Sequence, residues 1–373
     1  MKYSTHNEAV SDPNTSMCPF EESVVLLQLR DCYHYQYFGK MTTSFSELGL
    51  FKEIQKAKAT LEPVVEKTPV IKSQFLSSVK QNVYFKMETL QRTGSFKLRG
   101  AFNKVANLTD EEKKCGIICS SAGNHAQGVA FSGQYFGIPA KICMPETTPN
   151  AKVENTRRYG AEIVLSGQIY DDAAKKATEL RDKYQLTYIH PFDDDLVIAG
   201  QGTVGLEILN QLPQVDCIVV PIGGGGLISG IAVAAKCLRP EITIIGVQAH
   251  SARAMVESVE QKKRIQLDAK TIADGIQVRE PGKRTFELIS KFVDKLVTVT
   301  ETEIKAAIAH LLQRQHILCE GAGAVPTAAF LAGKIDSSYK NVCLLCSGGN
   351  IDLSVVTNII QEQNQPKTDA ASN

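Results

Sequence analysis

Long apolar runs are missing from this chain. No run approaches the roughly 18 consecutive apolar residues that a helix needs to cross a bilayer. Residues 1–16 contain no apolar stretch typical of a secretory signal, and Glu8 and Asp12 argue against an Arg-rich transit peptide. We therefore expect a cytoplasmic protein with no membrane partner.

An excess of one charge is also missing. The chain has 41 Lys and Arg against 40 Asp and Glu, and its basic residues are scattered without a stripe. This balance disfavours a nucleic-acid partner. With 373 residues, of which 43% are hydrophobic and 22% charged, the chain is long enough and apolar enough for a sizeable globular core.

The ten cysteines lack the arrangement of a disulfide framework. Several lie inside apolar runs, which is typical of buried thiols in a reducing compartment. Cys343 and Cys346 have C-x-x-C spacing, but no second pair and no nearby histidine completes a metal set. We interpret this segment as a core strand and predict no metal site.

Between two unusual ends, short β-rich runs alternate with amphipathic helical patterns. This alternation predicts parallel sheets covered by helices on both faces, with ligands at the carboxyl ends of strands. Residues 1–47 read as an N-terminal extension, and residues 359–373 as a disordered tail. The predicted strands are Val83–Phe85, Gly116–Cys119, Lys141–Met144, Glu162–Leu165, Thr187–His190, Cys217–Pro221, Thr243–Gln248 and Val342–Cys346. The predicted helices are Phe51–Leu61, Gln127–Phe136, Lys152–Tyr159, Tyr170–Lys183, Thr203–Gln211, Leu227–Leu238 and Glu301–Gln315.

Four glycines, Gly223, Gly224, Gly225 and Gly226, follow the predicted strand Cys217–Pro221 and open a helix at Leu227. Backbone N–H groups of such a loop can point at an anion, and the helix N-terminus adds a positive dipole. A flexible turn is the alternative interpretation. A dinucleotide-binding fold is a further alternative, but the glycines come late and no fitting Gly-x-Gly-x-x-Gly follows the first strand.

A lysine, Lys97, lies among small and apolar residues in the stretch Ser95–Ala101. An amine of this kind, together with a phosphate-sized glycine loop, suggests a cofactor with an aldehyde at one end and a phosphate at the other. Pyridoxal 5'-phosphate (PLP) has this structure.

Two further loops follow predicted strands. One contains Ser121, Ala122, Gly123, Asn124 and His125, and its small residues at a helix start suit a carboxylate. The Asn124 amide could bond a ring hydroxyl. The other is Ser347–Asn350, where Ser347 would be a neutral partner for a ring nitrogen; a strand-end turn is an equally good interpretation of that loop alone.

Together these motifs resemble the PLP-dependent threonine/serine dehydratases and the related serine racemases. Four segments match in order and spacing, and the resemblance covers about residues 48–358. The matching segments are Ser95–Ala101, Ser121–His125, Gly223–Leu227 and Ser347–Asn350.

The resemblance implies an α/β fold of the tryptophan synthase β-like kind (fold type II), with two α/β domains and mostly parallel sheets. The large PLP-binding domain would comprise residues 48–114 and 191–358, and the small domain residues 115–190. It implies that Lys97 forms the Schiff base with PLP and then acts as the base at the substrate Cα.

The same resemblance implies roles for the other site residues. Phe96 would pack against the cofactor ring, Asn124 would bond its 3'-hydroxyl, and Ser347 would meet its nitrogen. Gly223, Gly224, Gly225, Gly226 and Leu227 would hold the phosphate. The substrate carboxylate would be bound by Ser121, Ala122, Gly123, Asn124 and His125.

Three departures point to a dehydratase. Racemases that resemble this chain carry a second serine where Ala122 stands, and a divalent-cation site where Gln248, Ala252 and Ala254 stand. The chain also ends soon after Asn350, which leaves no room for an amino-acid-binding regulatory domain. We therefore expect the short catabolic kind, without isoleucine feedback through such a domain.

The expected substrates are L-threonine, giving 2-oxobutanoate and ammonia, and L-serine, giving pyruvate. Related enzymes suggest a homodimer or homotetramer and an AMP-type effector. The alternatives are a serine racemase, a β-replacement enzyme and a PLP-binding regulator without catalysis. For Glu320, a helix-start role is slightly favoured over a role in the active site.

Overall fold

The computed structural model describes residues 45–364. Most of the predicted N-terminal extension therefore lies outside the described residues, and residues 45–47 belong to the first helix. At the other end, a helix runs through Asn364, so the prediction of disorder from residue 359 is wrong for residues 359–364. Ile359 is buried against the core, which is the physical reason that this helix forms.

Strands and helices alternate along the described chain. The strands are β1 (Val70–Lys72), β2 (Asn82–Met87), β3 (Ile117–Ser120), β4 (Ala140–Met144), β5 (Glu162–Leu165), β6 (Thr187–Tyr188), β7 (Cys217–Pro221), β8 (Thr243–Ala249), β9 (Lys295–Val299) and β10 (Asn341–Cys346). The α-helices are α1 (Phe45–Leu61), α2 (Lys97–Ala106), α3 (Asp110–Cys115), α4 (Asn124–Phe136), α5 (Asn150–Arg157), α6 (Tyr170–Tyr184), α7 (Asp195–Gln211), α8 (Gly226–Leu238), α9 (Ala254–Glu260), α10 (Lys283–Phe292), α11 (Glu301–Gln315), α12 (Gly321–Leu331) and α13 (Leu353–Asn364).

The larger sheet has six strands in the order β1-β2-β10-β7-β8-β9. All neighbours are parallel except β1, which pairs antiparallel with β2. In β7, Ile218 and Val220 face a core formed with α1, α7, α8 and α10, while Cys217 and Val219 face a core formed with α11 and α12. Because both faces are covered, β7 is apolar along its whole length.

The smaller sheet has four parallel strands in the order β5-β4-β3-β6, all of them from the segment 115–190. Ile117 of β3 packs on the side of α4, and its neighbour Ile118 packs on the side of α6. Because successive side chains of a strand point to opposite faces of the sheet, these contacts show that helices cover both faces. The expected α/β fold with mostly parallel sheets is therefore present.

Helix α12 was not predicted from the sequence. It contains Gly323 and Pro326, residues that disfavour helix interiors, and it is apolar on all sides. Burial between α11 and the larger sheet stabilises it. Cys343 and Cys346 lie buried in β10, so the interpretation of their C-x-x-C segment as a core strand is confirmed.

Within residues 45–364, each helix is too short or too polar to cross a bilayer.

Candidate active site

The glycine loop links the buried strand β7 to helix α8. Gly225 has φ of +96°, a left-handed conformation that favours glycine. A Cβ on Gly224 would lie 2.3 Å from the Phe192 ring, so no side chain fits there. The Thr285 hydroxyl donates to the Gly224 carbonyl over 2.6 Å and fixes the loop. The loop and the start of α8 thus form a backbone cradle suited to a phosphate.

Lys97 is the first residue of α2. Its Nζ donates to the carbonyl of Pro191 over 2.7 Å and lies 5.4 Å from the centroid of the Phe96 ring. Loss of hydration lowers the pKa of Lys97 to about 8, although the nearby Glu320 carboxylate opposes this shift. A larger fraction of this amine than of an ordinary lysine is therefore neutral near pH 7, as nucleophilic or base chemistry requires.

The Lys97 and Ser347 segments are joined through their backbones. Phe96 N–H donates to the Ser347 carbonyl over 3.1 Å, and Ser95 pairs with Gly348 as an isolated antiparallel bridge. Ser347 itself is buried directly beyond β10. Two motifs about 250 positions apart in the sequence thus lie side by side.

The loop after β3 holds the predicted carboxylate-binding residues. Ser121 Oγ accepts from Gly123 N–H over 3.2 Å, and Asn124 begins α4. The His125 ring contacts the Ile189 carbonyl through Nε2 at 2.8 Å. Because a carbonyl only accepts, Nε2 carries the proton. Burial, with the Lys97 charge, lowers the pKa of His125 to about 3, so the imidazole is neutral and only its backbone N–H is suited to an anion.

For Glu320, the sequence slightly favoured a helix-start role over a role in the active site. Glu320 occupies the position before α12, but its side chain makes no capping hydrogen bond. Its buried carboxyl instead accepts from Asn124 Nδ2 over 2.7 Å. Burial, with the Asp274 charge, raises the pKa of Glu320 to about 8. The carboxyl therefore faces the predicted site rather than the helix end.

Other residues that contact the predicted site residues were also missed. Phe192 packs on the glycine loop, Pro191 accepts from Lys97, and Asn350 contacts Asn124. Asn350 ends the segment Ser347–Asn350, so the sequence already indicated that it lies near the site. Pro191 and Phe192 belong to no recognised motif. Gln248 stands where the related racemases have their divalent-cation site; it is buried, and its side-chain carbonyl oxygen accepts from Val256 N–H over 2.9 Å.

The residues present fit PLP. The glycine cradle can accept its phosphate, and the Lys97 amine can meet its aldehyde. Several buried polar atoms of the described residues have no partner, and such atoms cost free energy unless something bonds them. They include Ser95 Oγ, Thr93 Oγ1, Ser120 Oγ and Ser229 Oγ.

Comparison with known proteins agrees with this geometry. The family model described as "Pyridoxal-phosphate dependent enzyme" matches residues 61–348. An L-threonine ammonia-lyase from Thermotoga maritima is 48% identical over 313 residues, covering 83% of this chain and 78% of the relative. A protein named "L-threonine dehydratase catabolic TdcB" from Staphylococcus aureus (strain USA300) is 48% identical over 316 residues, covering 83% and 91%.

Solved structures are also similar. The processed form of threonine deaminase isoform 2 from Solanum lycopersicum has a TM-score of 0.79 at 39% identity, covering 84% of this chain and 93% of that one. Maize serine racemase has a TM-score of 0.79 at 35% identity, covering 84% and 97%.

Proposed function

The chain belongs to the family of pyridoxal-phosphate dependent enzymes, and we propose that it is a catabolic L-threonine ammonia-lyase that also acts on L-serine. It has the fold of the fold-type II members, and its cofactor is PLP. The observation that carries the proposal is the partly buried Lys97 amine on the Pro191 carbonyl, next to Phe192, which packs on the glycine loop, in a chain 48% identical to relatives named for this reaction.

The cofactor would be held by the residues that the sequence motifs indicate. Lys97 would bind its aldehyde carbon, Phe96 would pack on the ring, Asn124 would meet the 3'-hydroxyl, and Ser347 would meet the ring nitrogen. The phosphate would lie on the backbone amides of Gly223, Gly224, Gly225, Gly226 and Leu227. When bound, the cofactor withdraws electrons from the substrate and makes its Cα–H acidic.

This chain's own residues would bind the substrate and move its proton. The substrate carboxylate would lie on Ser121 and the backbone amides of Ala122, Gly123, Asn124 and His125, where the start of α4 favours negative charge. Lys97, once free, would take the Cα proton, because its lowered pKa leaves a neutral fraction near neutral pH. Loss of the β-hydroxyl and hydrolysis then release ammonia and 2-oxobutanoate, or pyruvate from L-serine.

Serine racemase is the second candidate, since a serine racemase structure is similar over most of both chains. Racemisation needs an acid on the face of Cα opposite the lysine. In this chain Ala122 stands where the related racemases carry a serine, and its methyl group cannot transfer a proton. Elimination is therefore the better-supported reaction.

We further propose a small domain over residues 115–190 and a large domain over 48–114 and 191–358, with the site between them. Two ion pairs support closure of such a cleft: Lys152 with Asp274 at 2.5 Å, and Asp171 with Arg279 at 3.1 Å. Closure would exclude water from the site. A cytoplasmic homodimer or homotetramer, with an AMP-type effector, completes the proposal.

The test is 2-oxo acid release from L-threonine and L-serine, measured with the visible absorbance of the purified holoenzyme. Lys97→Ala should abolish both the product and the absorbance band, whereas Lys114→Ala, an exposed lysine of α3, should change neither. A wild type with the band but no 2-oxo acid would overturn the lyase proposal. Chiral analysis of L-serine reactions would then detect D-serine if the enzyme is a racemase.

A further inference from the structure

A directed chain of hydrogen bonds runs through the Asn124 side chain. Asn350 Nδ2 donates to the Thr93 carbonyl over 2.8 Å and to Asn124 Oδ1 over 2.7 Å. Asn124 Nδ2 in turn donates to Glu320 Oε1 over 2.7 Å.

This chain of hydrogen bonds permits one orientation of each amide. The Thr93 carbonyl can only accept, so Asn350 must present its NH₂ group there. The same NH₂ group faces Asn124, which must therefore present its oxygen to Asn350 and its NH₂ group to Glu320. A reversed Asn124 amide would place its NH₂ group against the Asn350 NH₂ group, which costs that hydrogen bond and adds repulsion.

The three residues come from separate parts of the fold. Asn124 begins α4 beside the smaller sheet, Glu320 precedes α12, and Asn350 follows β10 of the larger sheet. The Glu320 backbone N–H also donates to the Gly348 carbonyl over 3.0 Å, which fixes Glu320 beside the loop that contains Ser347. The side chain of Asn124 is thus held from the large-sheet side of the site.

We propose that Glu320 and Asn350 are positioning residues that hold the Asn124 amide in the one orientation in which it contacts the cofactor. This inference rests on the proposed role of Asn124 toward PLP. With one N–H given to Glu320 and one lone pair to Asn350, Asn124 keeps one donor and one acceptor site for the ring oxygen. Neither positioning residue needs to touch the substrate.

Asn350→Asp tests the inference, because it replaces the donating NH₂ group by an oxygen that faces Thr93 O and Asn124 Oδ1. A matched control is the pair of Asn82 and Asn341 on the neighbouring strands β2 and β10. Asn82 Nδ2 donates to Asn341 Oδ1 over 3.1 Å at the starts of β2 and β10, the opposite end of the strands from Ser347. Asn82→Asp makes the same chemical change away from the site.

The measurement is the dissociation constant of PLP for the cofactor-free full chain, with the position of the visible band after loading. We expect Asn350→Asp to weaken binding about tenfold, the equivalent of one oriented hydrogen bond, and to shift the band. Asn82→Asp should do neither. In an Asn124→Ala background, Asn350→Asp should have no further effect, because its action passes through Asn124.

The inference would be overturned if Asn350→Asp weakened PLP binding equally in the wild type and in the Asn124→Ala background. It would also be overturned if Asn82→Asp weakened PLP binding as much as Asn350→Asp does. Glu320→Gln gives a second readout, because the Gln carbonyl can still accept from Asn124. It should keep the affinity within about threefold, whereas Glu320→Ala should match Asn350→Asp. These binding measurements need no substrate, so they are independent of the lyase proposal. A wild type that binds PLP but releases no 2-oxo acid would overturn only the lyase proposal.

Discussion

Arg99 and Glu88 form a fully buried ion pair with two parallel hydrogen bonds. Arg99 Nε donates to Glu88 Oε2, and Nη2 donates to Oε1, each over 2.8 Å. Glu207 of α7 accepts from Arg99 Nη1 over 2.6 Å and from Lys86 of β2 over 2.5 Å. Because Arg99 stands two residues after Lys97 on α2, this network sets where α2 lies against β2 and α7.

Arg99→Ala should lower the free energy of unfolding by about 3–5 kcal/mol, since it leaves the Glu88 and Glu207 carboxylates without their main partner. Arg92→Ala is the control: Arg92 pairs with Glu66 at 2.9 Å, but both side chains are about half exposed. That pair should contribute within about 1 kcal/mol. Urea unfolding of the holoenzymes measures both, and equal losses would contradict the importance of the buried pair.

The rate at which the cofactor-free protein captures PLP should rise with pH, with a midpoint near 8. The neutral Lys97 amine would be the form that reacts with the PLP aldehyde. Burial lowers the pKa of Lys97 to about 8, so its charge is lost above that pH. Stopped-flow absorbance from pH 6 to 10 measures the rate. Glu320→Gln should move the midpoint lower, because the Glu320 charge raises the pKa of Lys97. A midpoint near that of an ordinary lysine would show that Lys97 is not desolvated.

Glu320 should make stability fall with pH. Its pKa is raised to about 8, whereas an unfolded glutamate ionises near pH 4.3. Between these values the native carboxyl keeps a proton that the unfolded chain has lost, so the free energy of unfolding declines as the pH rises. The charged groups that act on it are Lys97 of α2, Lys152 of α5 and Asp274.

The glutamine side chain in Glu320→Gln cannot ionise. This variant should therefore lack the part of the fall in unfolding free energy with pH that Glu320 causes. Urea midpoints of the cofactor-free protein at pH 5.5 and 8 measure it. Glu53→Gln is the control, because Glu53 forms only an exposed pair with Lys56. If the urea midpoint of Glu320→Gln fell with pH as steeply as those of Glu53→Gln and the wild type, the Glu320 carboxyl would be shown to ionise normally.

Gly224→Ala should weaken PLP binding at least tenfold. The new methyl group would lie 2.3 Å from the Phe192 ring, so the ring or the glycine loop must move. Gly49→Ala is the matched control, because nothing lies within 4 Å of a methyl group there. Titration of the cofactor-free variants with PLP measures the difference. Similar affinities for the two variants would mean that the loop does not hold the phosphate.

Local patterns were sufficient for much of the fold. The apolar run Cys217–Pro221 and the glycines after it indicated strand, loop and helix, and β7, the loop and α8 lie there. Helix α12 could not be read in this way, because Gly323 and Pro326 oppose helix formation and only packing between α11 and the larger sheet overcomes them.

The sequence by itself determined the order of the motifs, the lysine and the glycine loop, since each depends on neighbouring residues alone. Only the tertiary structure decided the surroundings of Asn124. Glu320 lies 196 positions and Asn350 226 positions from it, and no periodicity links residues so far apart. The raised pKa of Glu320 and the lowered pKa of Lys97 have the same origin, because burial exists only after the two sheets and their helices have packed.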